Sequence, residues 1–210
     1  MAYTFREGIS LYETIGSVEP DTVWVEIGSD RGEGSTLALA EQAHRLSTHL
    51  HSVDIDSRAQ DTLSYPALTC YVEPGSRWVK NTWPAIAKKI SLLHLDNFDW
   101  IWDINNIPDW ISSQISTYSE KFNVKMTNEN CQKEHFEQLL GLGPWLADKC
   151  LVVMDDTFLH NGAWTGKCGP GVVYLQTLGF NVVKILPTNG TVLARGYDFL
   201  ETVDTSIQIL

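Results

Sequence analysis

The segment at residues 23–36 (VWVEIGSDRGEGST) constrains the fold of this chain more than any other part of it. Apolar, strand-forming residues lead into Glu26 and Gly28, further glycines follow up to Gly34, and helix-favouring residues begin at Ser35. Glycine lets the backbone turn sharply and approach a ligand closely, and the first turn of a helix offers free N–H groups to an anionic group. The segment therefore predicts a strand–loop–helix unit with a ligand at the loop.

The rest of the chain repeats this alternation of strand-like and helical patterns. Apolar strand-like runs lie at 22–28, 50–56, 68–73, 90–95, 150–154, 180–186 and 191–196. Helical patterns lie at 5–17, 33–47, 57–65, 76–89, 133–147 and 170–178. Alternation of this kind predicts an α/β fold, a Rossmann-like, doubly wound, mostly parallel seven-stranded sheet. The tight turn at Asn189-Gly190 predicts an antiparallel C-terminal hairpin at one edge. The 210 residues suit a single domain spanning 1–210.

An acidic residue, Asp54, ends the second predicted strand about 20 residues beyond the last glycine of the loop. In a doubly wound sheet such a carboxylate lies beside the first loop, where it can accept hydrogen bonds from both ribose hydroxyls. A dinucleotide usually requires G-x-G-x-x-G, whereas this loop has G-x-x-x-G-x-G with Asp30 inside it. Negative side chains suit the ammonium of S-adenosylmethionine (SAM) better than a pyrophosphate. SAM is favoured, and an NAD-dependent oxidoreductase or a turn without a ligand are the alternatives.

The motif built on Glu26, Gly28, Gly32 and Ser35 resembles the first motif of the class I SAM-dependent methyltransferases. It is most similar to the branch that contains cephalosporin-hydroxylase-like proteins, macrolide sugar O-methyltransferases and catechol O-methyltransferase. The resemblance covers about residues 5–197 and implies a SAM-dependent O-methyltransferase. It implies that the first loop holds the methionyl part, that Asp54 binds ribose and that the turn after the third strand borders adenine. The residues expected to bind SAM are Glu26, Gly28, Ser29, Gly32, Ser35, Asp54, Ile55, Gly75, Ser76 and Asp96.

Three more acids follow the fourth and fifth predicted strands: Asp96, Asp155 and Asp156. Neighbouring strands lie about 4.8 Å apart, so these carboxylates are expected to meet and to repel one another unless a cation joins them. Hard oxygen ligands suit Mg²⁺, which could lower the pKa of an acceptor hydroxyl. Metal-dependent members of the branch resemble this arrangement. The acids are therefore the predicted metal ligands; the alternative is that they only cap the strand ends.

The catalytic base is expected shortly after the first of these acids. In the related enzymes it stands two or three residues later, where this chain has Phe98 and Asp99 rather than lysine or histidine. Asp99 is the predicted base, and His160 is the second candidate. Because the usual base is missing, a regulatory or assembly protein that binds SAM without catalysis remains an alternative.

A long segment at about 97–130 separates the fourth strand from the next regular helix. Its first part is rich in acids and tryptophans, which predicts a lid with aromatic walls over the acceptor. The alternatives are a cover for the sheet edge or a homodimer contact. Tryptophans elsewhere are interpreted either as packing or as ligand walls. The segment 157–171 is predicted to be a glycine-punctuated loop on the same side.

The formal net charge of −11 bears on partners. An acidic surface repels phosphates and anionic lipids, so we expect a small-molecule acceptor and neither nucleic acid nor membrane as a partner. No basic and apolar leader follows Met1, and no apolar run approaches the ~18 residues that span a bilayer. The four cysteines form no C-x-x-C or zinc pattern. These features predict a cytoplasmic protein.

Overall fold

The computed structural model describes residues 4–15, 18–29, 34–186 and 190–205, so Gly32 and Asn189 lie outside the described residues. The strands are β1 (Thr22–Ile27), β2 (Leu50–Asp54), β3 (Leu68–Val72), β4 (Lys89–Leu95), β5 (Leu146–Met154), β6 (Thr157–His160), β7 (Ala163–Gly166), β8 (Asn181–Ile185) and β9 (Thr191–Arg195). The helices are α1 (Thr4–Ile15), α2 (Ser35–Arg45), α3 (Arg58–Thr62), α4 (Gly75–Asn81), α5 (Trp83–Ile86), α6 (Asp109–Phe122), α7 (Asn128–Leu142) and α8 (Gly169–Thr177).

Seven of these strands form one sheet in the order β3-β2-β1-β4-β5-β9-β8. The five strands from β3 to β5 are parallel, and β9 runs antiparallel to both β5 and β8. The predicted fold is confirmed, including the antiparallel hairpin at the C-terminal edge. The order reverses between β1 and β4, and an open sheet of this kind binds its ligand at that reversal, beyond the carboxyl ends of the strands.

Helices cover both faces of the sheet. On one face α1 and α2 pack against the sheet through residues such as Tyr12 and Leu39, and the Tyr12 hydroxyl donates to the Ser91 carbonyl oxygen. On the other face α4, α7 and α8 contribute to a second apolar cluster, in which Trp78 and Trp83 are fully buried. Each fully buried large apolar side chain contributes about 1.5–3 kcal/mol. Both tryptophans are packing residues rather than ligand walls.

The helix predicted at 133–147 begins earlier and ends earlier than its pattern indicates. The Thr127 side chain accepts a hydrogen bond from the Asn130 N–H and caps α7, which ends at Leu142. A 3-10 turn at Gly143–Trp145 follows, with Pro144 in its first positions, and β5 begins at Leu146. The strand therefore starts four residues before the predicted position, because the proline turn redirects the chain at once.

Two other predictions need correction. The segment 157–171 is not an irregular loop: β6 and β7 form an antiparallel hairpin. Asn161 and Gly162 both have positive φ at its tip, as a two-residue hairpin turn requires. The helical pattern at 76–89 forms two helices, α4 and α5, which are separated at Thr82; Pro84 lies in the first turn of α5, where proline is favoured.

The predicted insert contains the 14-residue helix α6 and the start of α7. Ile111 is the buried residue of α6, so most of this helix faces outward. Within the described ranges, no helix has the length and apolar character to cross a membrane.

Candidate functional site

A cavity of about 540 Å³ lies at the carboxyl ends of the central strands, where the strand order reverses. Many of the predicted site residues line it: Gly28, Asp54, Ile55, Gly75, Asp96, Asp99, Asp155 and Asp156. Others are described but lie outside its lining: Glu26, Ser29, Ser35, Ser76 and His160. The structure therefore brings residues predicted to bind the nucleoside and the predicted acidic cluster into one cavity, although the two sets follow different strands.

Gly28 connects the two halves of this cavity. Its φ is +101°, and a Cβ at this position would clash with the backbone of Asp96 and with the Asn97 nitrogen. The end of β1 thus lies directly against the end of β4, which only glycine permits. The result is a backbone cradle at the floor of the cavity.

Asp54 presents a fixed carboxylate to the cavity next to this cradle. Its Oδ2 accepts hydrogen bonds from the Ser29 N–H (2.8 Å) and the Ser29 hydroxyl (3.2 Å), and its Oδ1 accepts from the Asp56 N–H (2.9 Å). Burial raises the pKa of Asp54, although these bonds oppose the rise. Ser29 was predicted to touch the cofactor, but it is buried and its donors hold the Asp54 carboxylate in place.

Glu26 lies in β1, next to its last residue, and does not line the cavity. It is fully buried, and its Oε2 accepts hydrogen bonds from the hydroxyls of Thr36 (2.7 Å) and Ser52 (2.6 Å). Its Oε1 lies 3.5 Å from His94 Nδ1. Burial lowers the pKa of His94, but the bond to Glu26 and neighbouring carboxylates such as Asp96 outweigh burial and raise it. Glu26 therefore connects β1 with α2, β2 and β4.

The turn after β3 tethers α7 to the sheet edge. The N–H and the hydroxyl of Ser76 donate to the two carboxylate oxygens of Glu134, at 2.8 and 2.9 Å. Gly75 lines the cavity and packs so closely on Gln138 and Ile27 that a Cβ would clash with both. Ser76 thus supports the wall of the cavity through Glu134.

The three acids that were predicted to bind a metal converge on a lysine. Lys167 Nζ lies 2.8 Å from Asp96 Oδ1, 3.3 Å from Asp156 Oδ2 and 3.9 Å from Asp155 Oδ2. The Lys167 side chain is 2% exposed. Burial lowers the pKa of Lys167, but the three carboxylates outweigh burial and hold that pKa well above its ordinary value. Burial also raises the pKa of Asp96 and of Asp156, against the opposing charge of Lys167.

The β6–β7 hairpin delivers this lysine. Gly166 ends β7 with φ +83°, and a Cβ there would clash with the Asp156 carbonyl. The Lys167 N–H donates to that same carbonyl oxygen at 2.9 Å, and Gln132 Nε2 donates to the Gly166 carbonyl at 2.9 Å. These contacts hold the backbone of Lys167 beside the two acids that end β5.

Sequence reasoning missed Lys167. The available signal was weak: Lys167 is the one charged residue (Asp, Glu, Lys or Arg) in the sequence between Asp156 and Lys184. Its position among glycines pointed to a loop rather than to a site. Only the hairpin, with its Asn161-Gly162 tip, brings the lysine back to the acids.

A divalent cation at this cluster would have to share the carboxylates with Lys167. Three of them point at one ammonium group, so an ion bound by the same oxygens would have to displace Lys167. Among the described residues, no group of three or more histidines, cysteines, aspartates and glutamates could hold a metal ion. The arrangement does not fit the predicted Mg²⁺ site.

The insert forms the outer wall of the cavity. Trp110, Gln114 and Tyr118 of α6 line it, together with Asp99 from the turn after β4. Burial raises the pKa of Tyr118, and the nearby Asp54 adds to the rise, so α6 reaches the nucleoside side. Phe98 has φ +65°, a left-handed conformation that is uncommon for a bulky residue and is found at functional turns.

His160 and two tryptophans of the predicted acceptor region lie elsewhere. His160 is exposed at the end of β6, with Nε2 3.1 Å from Asn161 Nδ2. Trp102 of the insert stacks on Phe158 of the hairpin, with ring centroids 4.9 Å apart. Trp164 is partly buried against the core. The Trp102–Phe158 pair thus connects the insert to the hairpin, and His160, Trp102 and Trp164 all lie outside the cavity lining.

No family model and no curated protein sequence matches the chain. Solved structures do match it. A Streptococcus mutans protein assigned as a methyltransferase, in complex with S-adenosylhomocysteine (SAH), matches with a TM-score of 0.52 and 8% identity over 93% of this chain and 99% of that one. A Clostridium thermocellum protein assigned as an rRNA-methylase matches with a TM-score of 0.50 and 10% identity over 97% and 99%. At these identities the matches show the fold, which is that of the class I methyltransferases.

Proposed function

We propose that this chain, which has the class I methyltransferase fold, binds SAM and transfers its methyl group to a hydroxyl of a small acceptor. One observation carries the proposal: the Asp54 carboxylate and the Gly28 cradle share a cavity with a second cluster of carboxylates. A transferase needs both a cofactor end and an acceptor end within one enclosed space. The cavity of about 540 Å³ falls within the usual range for small-ligand sites, ~300–1,000 Å³.

The nucleoside end fits the cofactor in its chemistry. The Asp54 carboxylate is held by three N–H and O–H donors, so it keeps its orientation and offers acceptor capacity to ribose hydroxyls. Gly28 lines the same end, and its missing side chain lets the ends of β1 and β4 lie against each other there. Ile55 and Gly75 line the same end and would flank the base. When bound, SAM supplies an electrophilic methyl group, and SAH is the product that leaves.

The acceptor end is acidic. Among the described residues that line the cavity, seven are acidic and three are basic. Carboxylate oxygens accept hydrogen bonds, so they favour an acceptor group that donates one, such as a hydroxyl. They repel phosphates, which disfavours a nucleic-acid acceptor even though one matched structure is assigned as an rRNA-methylase. We therefore retain a small neutral or cationic acceptor, and neither nucleic acid nor membrane is part of the proposal.

In the proposed reaction the protein's own groups align the acceptor and receive its proton. Asp99 lines the cavity and remains the proposed base, with its carboxylate taking the hydroxyl proton. Trp110 and Tyr118 of α6 line the same cavity and would contact a bound acceptor. No Mg²⁺ step enters this reaction, because the carboxylates expected to bind the ion already surround Lys167.

Isothermal titration calorimetry with SAM, SAH and NAD⁺ tests the proposal. We expect SAM and SAH, but not NAD⁺, to bind and to raise the melting temperature. Incubation with SAM and a panel of small hydroxyl compounds should then release SAH, which mass spectrometry detects. Absence of binding by SAM and SAH to folded protein would refute the proposal. Binding without SAH release from any panel would favour a regulatory or assembly protein, for which the absence of lysine and histidine at positions 98 and 99 is the supporting observation.

A further inference from the structure

We propose that Lys167 is the built-in cation of this site: its ammonium group stands where a divalent metal ion was expected and holds Asp96, Asp155 and Asp156 together. Any role of Lys167 in catalysis rests on the proposed methyl transfer. Its replacement of a metal ion does not, because metal binding alone can test it.

The geometry matches one ammonium group to three carboxylates. A lysine has three N–H donors and no acceptor, and three carboxylate oxygens lie 2.8, 3.3 and 3.9 Å from Nζ. The lysine side chain is almost completely buried, so water cannot replace these partners. Without a cation, the carboxylates at the ends of β4 and β5 would repel one another. Lys167 therefore places a positive charge among the carboxylates at the position that the sequence assigned to a metal.

A metal ion and this ammonium group exclude each other. Mg²⁺ requires near-octahedral oxygen ligands at about 2.1 Å, and one oxygen of each of the two nearest carboxylates already faces Nζ. An ion bound next to the ammonium group would also meet like charge in a poorly solvated place. Both cations cannot occupy the cluster at once.

The backbone around Lys167 keeps the side chain in place. Its N–H is bonded to the Asp156 carbonyl oxygen, and the next N–H, of Cys168, donates to the Thr157 hydroxyl at 3.1 Å. That hydroxyl in turn donates to the Asp155 carbonyl oxygen at 2.9 Å. The strand end that carries the acids and the hairpin that carries the lysine are therefore one bonded unit. Displacing Nζ would leave a buried ammonium group without partners.

Titration with Mn²⁺, which suits the same oxygen ligands as Mg²⁺, tests the inference directly. We expect wild-type protein to show no saturable Mn²⁺ binding by calorimetry and no rise in melting temperature. Lys167→Ala removes the ammonium group and leaves the three carboxylates, so it should bind Mn²⁺ at least about tenfold more tightly than wild type. Its melting temperature should rise with added Mn²⁺.

Three variants control this experiment. Lys133 also lines the cavity but has an exposed side chain that pairs with Glu137, so Lys133→Ala should not gain metal binding. Adding Asp155→Asn to Lys167→Ala should abolish the gain. Lys167→Arg keeps the positive charge and should remain without a metal site.

Saturable Mn²⁺ binding by wild-type protein that Asp155→Asn abolishes would overturn the inference, as would a folded Lys167→Ala that gains nothing. If Lys167→Ala does not fold, the wild-type and Asp155→Asn titrations decide the question without it. SAH titration of the same preparations keeps the two proposals apart. If wild-type protein binds neither SAH nor Mn²⁺, methyl transfer is refuted and the role of Lys167 still stands.

Discussion

The two ends of the cavity hold their carboxylates with different kinds of partner. At the nucleoside end, Asp54 in the wall and Glu26 below it receive hydrogen bonds from neutral hydroxyl and N–H groups. At the acidic end, Asp96 and Asp156 surround the buried ammonium group of Lys167. Both sets of carboxylates follow or lie within neighbouring parallel strands of one sheet, and they meet where Gly28 touches the end of β4.

The difference shows how the type of partner determines what a buried carboxylate can still do. A neutral donor orients a carboxylate but leaves its charge, so Asp54 can still accept hydrogen bonds from a ligand. An ammonium group cancels much of that charge and makes the cluster a structural unit, because removal of one partner leaves the others buried and uncompensated. The nucleoside end is therefore expected to be sensitive in ligand binding, and the acidic end in stability.

The largest expected effect is a loss of stability when the acidic end loses its ammonium group. Lys167→Met should lower the free energy of unfolding by about 3–5 kcal/mol, because three carboxylates lose their common cation. Urea unfolding measures this loss. Lys133→Met, at an exposed cavity lysine, is the matched control and should change stability by less than about 0.5 kcal/mol.

A double variant sharpens the same result. Adding Asp96→Asn to Lys167→Met should recover part of the lost stability, because one uncompensated charge disappears with the lysine. Additive effects of the two substitutions would mean that the 2.8 Å contact between these side chains does not couple them.

The second prediction concerns ligand binding at the nucleoside end. Asp54→Asn should weaken SAH binding by roughly 10–100-fold, because hydrogen bonds to a charged acceptor contribute about 1.5–3 kcal/mol. Calorimetry gives the dissociation constant. Asp61→Asn, at an exposed residue of α3, makes the same chemical change and should leave the constant unaltered. Equal affinities for wild type and Asp54→Asn would place the nucleoside elsewhere.

A smaller loss of stability is expected when a neutral hydrogen-bond donor is removed. Thr36→Val removes the hydroxyl that lies 2.7 Å from Glu26 Oε2 but leaves the Ser52 hydroxyl in place. We expect a loss of about 1.5–2 kcal/mol, less than for Lys167→Met. Thr177→Val, which removes an exposed hydroxyl bonded to a backbone carbonyl, should cost less still. A loss as large as that of Lys167→Met would remove the distinction between the two ends.

The smallest expected effect is a pH dependence of stability that comes from the buried His51. Burial, with smaller contributions from His49 and Lys88, lowers the pKa of His51 on β2 from 6.5 to about 4. Its neutral form is therefore stabilising above pH 6.5, and this contribution is lost as the pH falls toward 4. Between pH 7 and 5.5, wild type should lose about 1 kcal/mol more than His51→Gln in urea unfolding. The difference between the two proteins should be constant above pH 7.5; parallel curves at acidic pH would contradict the prediction.

Much of the fold was predictable because its signals are local. Strand-like and helical patterns determine the element order, and the glycines between β1 and α2 identify the ligand end of the sheet. Asp54, Asp96, Asp155 and Asp156 were placed at that end because the carboxyl ends of parallel strands meet there. The cavity contains all four of these acids.

The differences between the expected and the observed surroundings of these residues have a common physical cause. Glu26 and Ser29 were expected to face the cofactor, but sequence does not show which buried donors will reach a carboxylate, and the fold brings Thr36 and Ser52 to Glu26. The β6–β7 hairpin was missed because its strands are short and bounded by glycine. Without the hairpin, Lys167 had no visible relation to the acids.

The sequence by itself determined the α/β architecture and the edge at which the acids gather, because both follow from periodicity and from the position of residues within elements. The tertiary structure alone decided what neutralises those acids. Asp96 and Lys167 are 71 residues apart in the chain, and only the packing of the hairpin against the end of β5 brings them together. Charge compensation acts through space, so a cation that a sequence pattern assigns to a metal can be provided by a side chain from elsewhere in the fold.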